Sequence, residues 1–129
     1  MVSLMRRRVA PKAGAARFDP IFTPASTLVG LEAALSDLPE GRFARAQELT
    51  ERCRSLLAAA GHKVVTQAGQ ATLVTFRARA NAAETALGLY ERGVIVRDLP
   101  ASDLLRASVG WWNDETDLER LVAALGELR

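Results

Sequence analysis

Residues 93–118 read GVIVRDLPASDLLRASVGWWNDETDL, and the fold is decided there. Behind Gly93, Val94, Ile95 and Val96 form a short β-branched run, and Leu104, Leu105, Ala107 and Val109 form a second apolar run. Residues 98–103 between them are polar and contain Pro100. Two apolar runs around a polar turn predict two strands, 94–97 and 104–109. Asn113 or Asp114 then caps a last helix, with Asp117 adding favourable charge to its first turn. Leu118, Leu121, Val122, Leu125 and Leu128 recur at steps of three and four and predict its buried face.

Upstream, Asn81 caps a helix over 82–92 that Gly93 closes. The period switches to two in 63–66 and 71–77, which predicts a hairpin around Gly69. A longer amphipathic helix is expected over 42–60, with Phe43, Ala46, Leu49, Cys53, Leu56 and Leu57 on its apolar stripe and Gly61 as its stop. Pro24 opens another helix carrying Leu28, Val29, Leu31 and Leu35, which Pro39 and Gly41 end. Residues 1–22 show no clean period and contain Pro11, Gly14 and Pro20; they read as a lead-in, the remnant of a domain junction, before a small domain over 23–129. Helix, helix, strand, strand, helix, strand, strand, helix is the order of an α+β fold, a small and mostly antiparallel sheet with helices on one face.

Composition narrows the function classes. A chain of 129 residues is one ordinary domain, able to bury roughly two thirds of its unfolded surface. Hydrophobic residues at 49% and charged residues at 25% exclude a mainly disordered chain. The net charge of +2 is weak support for a polyanionic partner. Arg6, Arg7, Arg8 and Lys12 lack interleaved aromatic residues for base stacking, so no nucleic-acid partner is expected. No apolar run approaches the ~18 residues of a membrane span, and no membrane partner is expected. The start lacks the serine content of a transit peptide and the apolar region of a secretory signal, which leaves the cytoplasm as the expected location. Cys53 is the one cysteine, so neither an internal disulfide nor a zinc cluster can form, and its place on an apolar stripe makes it a small buried hydrophobe. His62 is the one histidine and reads as a solvated turn residue with no triad or metal pattern around it. Of Trp111 and Trp112, one is expected buried and one at an interface. No catalytic residue and no metal ligand emerge.

The run Gly93–Arg97, the segment Leu105-Arg106-Ala-Ser-Val109 and the aromatic-Asn pair Trp112-Asn113 with its acidic helix start resemble the end of class V aminotransferase-fold enzymes. These are fold type I pyridoxal-phosphate proteins such as transaminases, cysteine desulfurases, C–S lyases and epimerase-like members. Arg17-Phe18-Asp19, Thr23-Pro24 and Gly30-Leu31-Glu32-Ala33-Ala34-Leu35 are similar to that family's crossing into its C-terminal small domain. The resemblance covers residue 16 onward and implies the small domain of such an enzyme.

It further implies that Arg106 binds the substrate's α-carboxylate, a task suited to a planar guanidinium that makes two parallel charge-assisted hydrogen bonds. It also implies Thr23 as a cofactor contact, since in some relatives the matching threonine reaches the cofactor phosphate of the neighbouring subunit; this chain has Phe22-Thr23 where the family often has Gly-Thr. The implied cofactor is pyridoxal phosphate in the intact parent enzyme. Its lysine lies upstream in the family's large domain, and the lysines here are Lys12 and Lys63. No cofactor and no activity are therefore expected of this chain alone. Implied partners are the large cofactor-binding domain or chain, an amino-acid carboxylate and a second copy of the protein. In desulfurases the loop after Arg97 carries a nucleophilic cysteine; residues 98–103 have none, and Arg97 reads as a structural or rim residue. A freestanding, non-catalytic α+β module that binds an amino acid or a partner protein is the alternative.

Overall fold

The structure, a computed structural model, describes residues 12–18, 24–70 and 72–128. Thr23, Arg6, Arg7, Arg8 and most of the 1–22 lead-in lie outside the described residues. The chain divides into two compact units, one ending at Leu38 and the other spanning Pro39–Arg129.

The first unit holds a 3₁₀ turn, Gly14–Phe18, and helix α1, Ala25–Ser36, with Pro24 as its N-cap, one position ahead of the first helical residue where the sequence places it. Leu28, Val29, Leu31 and Leu35 of α1 are each more than half exposed, uncovered by the described residues.

The second unit is the α+β layer. Its elements are α2 (Arg42–Ala59), β1 (Leu73–Arg77), α3 (Ala82–Glu91), β2 (Arg97–Asp98), β3 (Leu104–Ser108) and α4 (Glu115–Glu127). The strands form an antiparallel sheet in the order β1-β3-β2, with Thr75 opposite Arg106 and Arg97 opposite Arg106. Alternation puts Val74 and Phe76 of β1 and Leu105 and Ala107 of β3 on one face. There they join Leu49, Cys53 and Leu57 of α2, Leu89 of α3 and Leu118, Leu121 and Leu125 of α4 in one continuous core. Helices therefore cover one face of the sheet. The opposite face carries Leu73, Thr75 and Arg77 of β1, Leu104, Arg106 and Ser108 of β3, and Arg97 of β2.

Polar contacts fix the ends. Asp114 is the cap of α4: it accepts the Asp117 amide at 2.9 Å while the Asp117 carboxylate accepts the Asp114 amide, a reciprocal capping box. Asn113 ties β3 to this cap by accepting the Gly110 amide and donating to Asp117. Asn81 caps α3 through the Glu84 amide. Glu51 of α2 accepts the Gly69 amide and Arg54 donates to the Thr66 carbonyl, pinning the turn ahead of β1 to the long helix.

Three expectations are corrected, two of them by the same device. Helices α2 and α3 both end in a Schellman closure around a left-handed glycine, Gly61 at φ 82° and Gly93 at φ 73°. In α3 the Val94 amide donates to the Leu89 carbonyl and the Gly93 amide to Tyr90. Val94 is thereby tied to the helix end, and the strand expected over 94–97 pairs only at Arg97–Asp98. In α2 the His62 amide donates to Leu57 and the Gly61 amide to Ala58. The residue after such a glycine usually packs back on the last helical turn, and His62 does so: it is 7% exposed rather than solvated. Phe43, expected on the buried stripe of α2, is instead 75% exposed with the Arg42 guanidinium 4.7 Å from its ring centroid. It lies in the first turn of α2, three residues before the stripe meets the core at Ala46. The hairpin of 63–66 with β1 is present in looser form, as a Val64–Phe76 bridge extended by Val65 donating to Thr75 and Arg77 to Lys63.

Candidate functional site

Arg106 is in the middle of the middle strand, on the face the helices leave open. The main-chain ladder holds it on both sides, against Thr75 of β1 and Arg97 of β2. Directly paired residues project from the same side of a sheet. A hydroxyl and a second guanidinium therefore flank Arg106. The turn behind the pair is tight: the Leu99 amide donates to the Leu104 carbonyl, Ser102 Oγ donates to Leu99, and Ala101 takes a left-handed φ of 54°.

Most of the other described arginines have a partner. Arg45 pairs with Glu48 and Glu115, Arg54 with Glu51, Arg77 with Asp103, Arg92 with Glu127 and Arg120 with Asp117. The Arg106 and Arg97 side chains make no hydrogen bond or ion pair with any described residue, and the Arg106 Nε is buried without a partner. Buried polar groups are nearly always hydrogen-bonded, to protein, water or ligand, so the Arg106 Nε–H, like the His62 Nδ1, has a hydrogen bond left to make. A carboxylate fits that fork in shape and charge.

Two other groups singled out in the sequence have structural roles. The His62 ring meets Phe76 edge to face at 5.7 Å, and its Nδ1 is buried without a partner. Burial, then the nearby Arg79 charge, holds its pKa below the ordinary histidine value, against an opposing backbone hydrogen bond at Arg77. Cys53 is buried as expected, and desolvation pushes its thiol up to about 11, which leaves it inert as a nucleophile at neutral pH. A cavity of about 270 Å³ lies between α4 and the Gly93–Val96 segment, against Cys53, Val109 and Leu118; it contains neither Arg97 nor Arg106. Trp111 is half-buried and Trp112 70% exposed, their rings edge to face at 5.8 Å.

A pyridoxal-phosphate cradle needs a lysine whose amine is deprotonated by burial or by a neighbouring cation. Lys12 and Lys63 are both exposed. The described residues do not fit that group, and Thr23, the implied phosphate contact, lies outside them. Among the described residues no three His, Cys, Asp or Glu side chains are grouped to hold a metal, and no helix is long and apolar enough to cross a membrane.

Arg97, expected as a structural or rim residue, is exposed and is paired with Arg106. The signal was present in the spacing: a hairpin that turns on residues 99–104 pairs 98 with 105 and 97 with 106, which sets both arginines on one face.

No protein-family model and no curated protein matches the chain. Solved structures do. A candidate aminotransferase from Burkholderia pseudomallei is 30% identical over 66% of this chain and 26% of its own, with a TM-score of 0.54. The cystine C–S lyase C-DES, in complex with cysteine persulfide, is 24% identical over 78% of this chain and 28% of its own, with a TM-score of 0.67. The cysteine desulfurase CsdA from Escherichia coli is 22% identical over 82% of this chain and 31% of its own, again at 0.67. The chain thus spans less than a third of the length of these proteins. Its α+β layer, with the open sheet face that carries Arg106, has the fold of the C-terminal small domain of class V aminotransferase-fold pyridoxal-phosphate enzymes.

Proposed function

We propose that this chain works as the small domain of a pyridoxal-phosphate enzyme of that fold and that Arg106 holds the α-carboxylate of the amino-acid substrate. The observation that carries this reading is the unpaired Arg106 guanidinium at the centre of the open sheet face, with its Nε shielded from water. The cofactor, bound by a large domain in the same or another chain, would supply the carbanion chemistry. The residues of this chain bind and orient. Arg106 fixes one end of the substrate, and Thr75 beside it offers a hydroxyl to the same group. A large domain laid over the open face would exclude water from the guanidinium and strengthen its pairing with the carboxylate.

The test is the amino-acid affinity of the native protein carrying Arg106→Ala. Charge-assisted bidentate pairing is worth roughly 1.5–3 kcal/mol, so affinity should fall about 10- to 100-fold. Arg106→Lys, which keeps the charge and loses the fork, should recover only part of that loss. Unchanged affinity in Arg106→Ala would overturn the assignment.

A further inference from the structure

We propose that Arg97 and Arg106 together form a two-guanidinium site for a ligand with two carboxylates, so that the amino acid held by Arg106 carries an acidic side chain read by Arg97. This rests on the carboxylate role of Arg106 and goes beyond it by naming the substrate class.

The register is the first support. Arg97 of β2 is directly opposite Arg106 of β3, so both side chains leave the same face of the sheet from neighbouring positions. Like charges at such positions repel, and a ligand with two negative groups would remove that repulsion. The second support is the missing counter-charge. Of the nearby acids, Asp103 is engaged by Arg77, and Asp98 is opposite Leu105, on the helix-covered face. Arg97 and Arg106 make no ion pair among the described residues. The third support is stoichiometry of forks: a carboxylate has two oxygens, and one guanidinium satisfies both in a bidentate pair. A monocarboxylate on Arg106 leaves Arg97 unpaired, whereas a second carboxylate gives each fork its own planar partner. The short turn between β2 and β3 holds the two backbones in register, so the pairing is organised before the ligand arrives.

The experiment follows the amide and arginine Nε–H signals of the isotope-labelled chain by NMR while propionate or succinate is titrated at constant ionic strength. Succinate is expected to bind about 10-fold more tightly than propionate, the return on one added charge-assisted pair. In Arg97→Gln that advantage should fall below about 2-fold while propionate binding is unchanged. Arg97→Lys should keep part of it, and Arg52→Gln, an exposed arginine on α2, should leave both affinities as they were. Dispersed spectra establish that each variant is folded. Equal affinities in the wild type, no saturation by succinate, or a full succinate advantage in Arg97→Gln would overturn the two-carboxylate site. If propionate still perturbs the Arg106 Nε–H, the carboxylate role of Arg106 survives that result. Loss of every Arg106 response would remove both.

Discussion

Replacing Arg97 with glutamine should make the protein more stable. In the wild type two guanidiniums leave one face from directly opposed positions, with Cβ atoms ~5 Å apart and no ion pair to a described acid. Unit charges ~6 Å apart repel by roughly 0.7 kcal/mol in water. Arg97 is exposed and its stem can swing outward, so the gain should lie between ~0.2 and ~0.7 kcal/mol. Urea unfolding reads this directly: with a slope of about 1–3 kcal/mol per molar, the midpoint rises by up to a few tenths of a molar. The gain should shrink as salt goes from ~0.01 M to ~1 M, because the Debye length falls from ~30 Å to ~3 Å. Arg52→Gln is the opposite control. Arg52 helps hold the Glu115 carboxyl below its ordinary pKa, so neutralising it gives no gain. A wild type more stable than Arg97→Gln at low salt, or a difference indifferent to salt, would refute the repulsion and with it one support of the two-carboxylate site.

Three further outcomes follow from the geometry. Asp114→Ala removes the capping box of α4 and should cost about 1 kcal/mol in urea unfolding, with Asp114→Asn recovering most of it; an unchanged midpoint in the alanine variant would show the cap to be idle. His62 is held below the value of 6.5 that it takes in the unfolded chain, so the unfolded state binds the proton first; stability should be full above that pH and fall as pH drops through it toward the lower folded value, and His62→Leu should abolish this step. Cys53, buried and raised to about 11, should resist a thiol reagent at pH 8 in the folded protein and react on addition of denaturant, whereas immediate labelling would contradict the packing of α2 against the sheet.

Much of the fold was legible because its signals are local. The glycines after α2 and α3, the Asn81 and Asp114 caps and the leucine stripe of α4 each act within one or two turns. What stayed hidden depends on where local devices compete. Gly93 ends α3 as expected, but the Schellman closure also takes the Val94 amide and so shortens the strand that the β-branched run 94–96 implies. The solvated His62 expected from the sequence gives way to the same device: the closure around Gly61 turns its ring back onto the core. Phe43 fits the period of α2 but precedes the part of the helix that meets the core, and a periodicity does not say how far a neighbour extends. The carboxylate role proposed for Arg106 comes from its motif, not from the fold. Arg97 needed the pairing register, a relation between two strands that single-residue reasoning does not supply.

The central claim is that this chain is the small domain of a pyridoxal-phosphate enzyme. An antibody raised against it, used to isolate the native protein from its source under non-denaturing conditions, allows the cofactor to be released and quantified by fluorescence. The account predicts about one pyridoxal phosphate per copy of this chain, held by a large domain in the same or a tightly associated polypeptide. Native protein recovered without pyridoxal phosphate, running at 13.9 kDa with no associated chain, would contradict it.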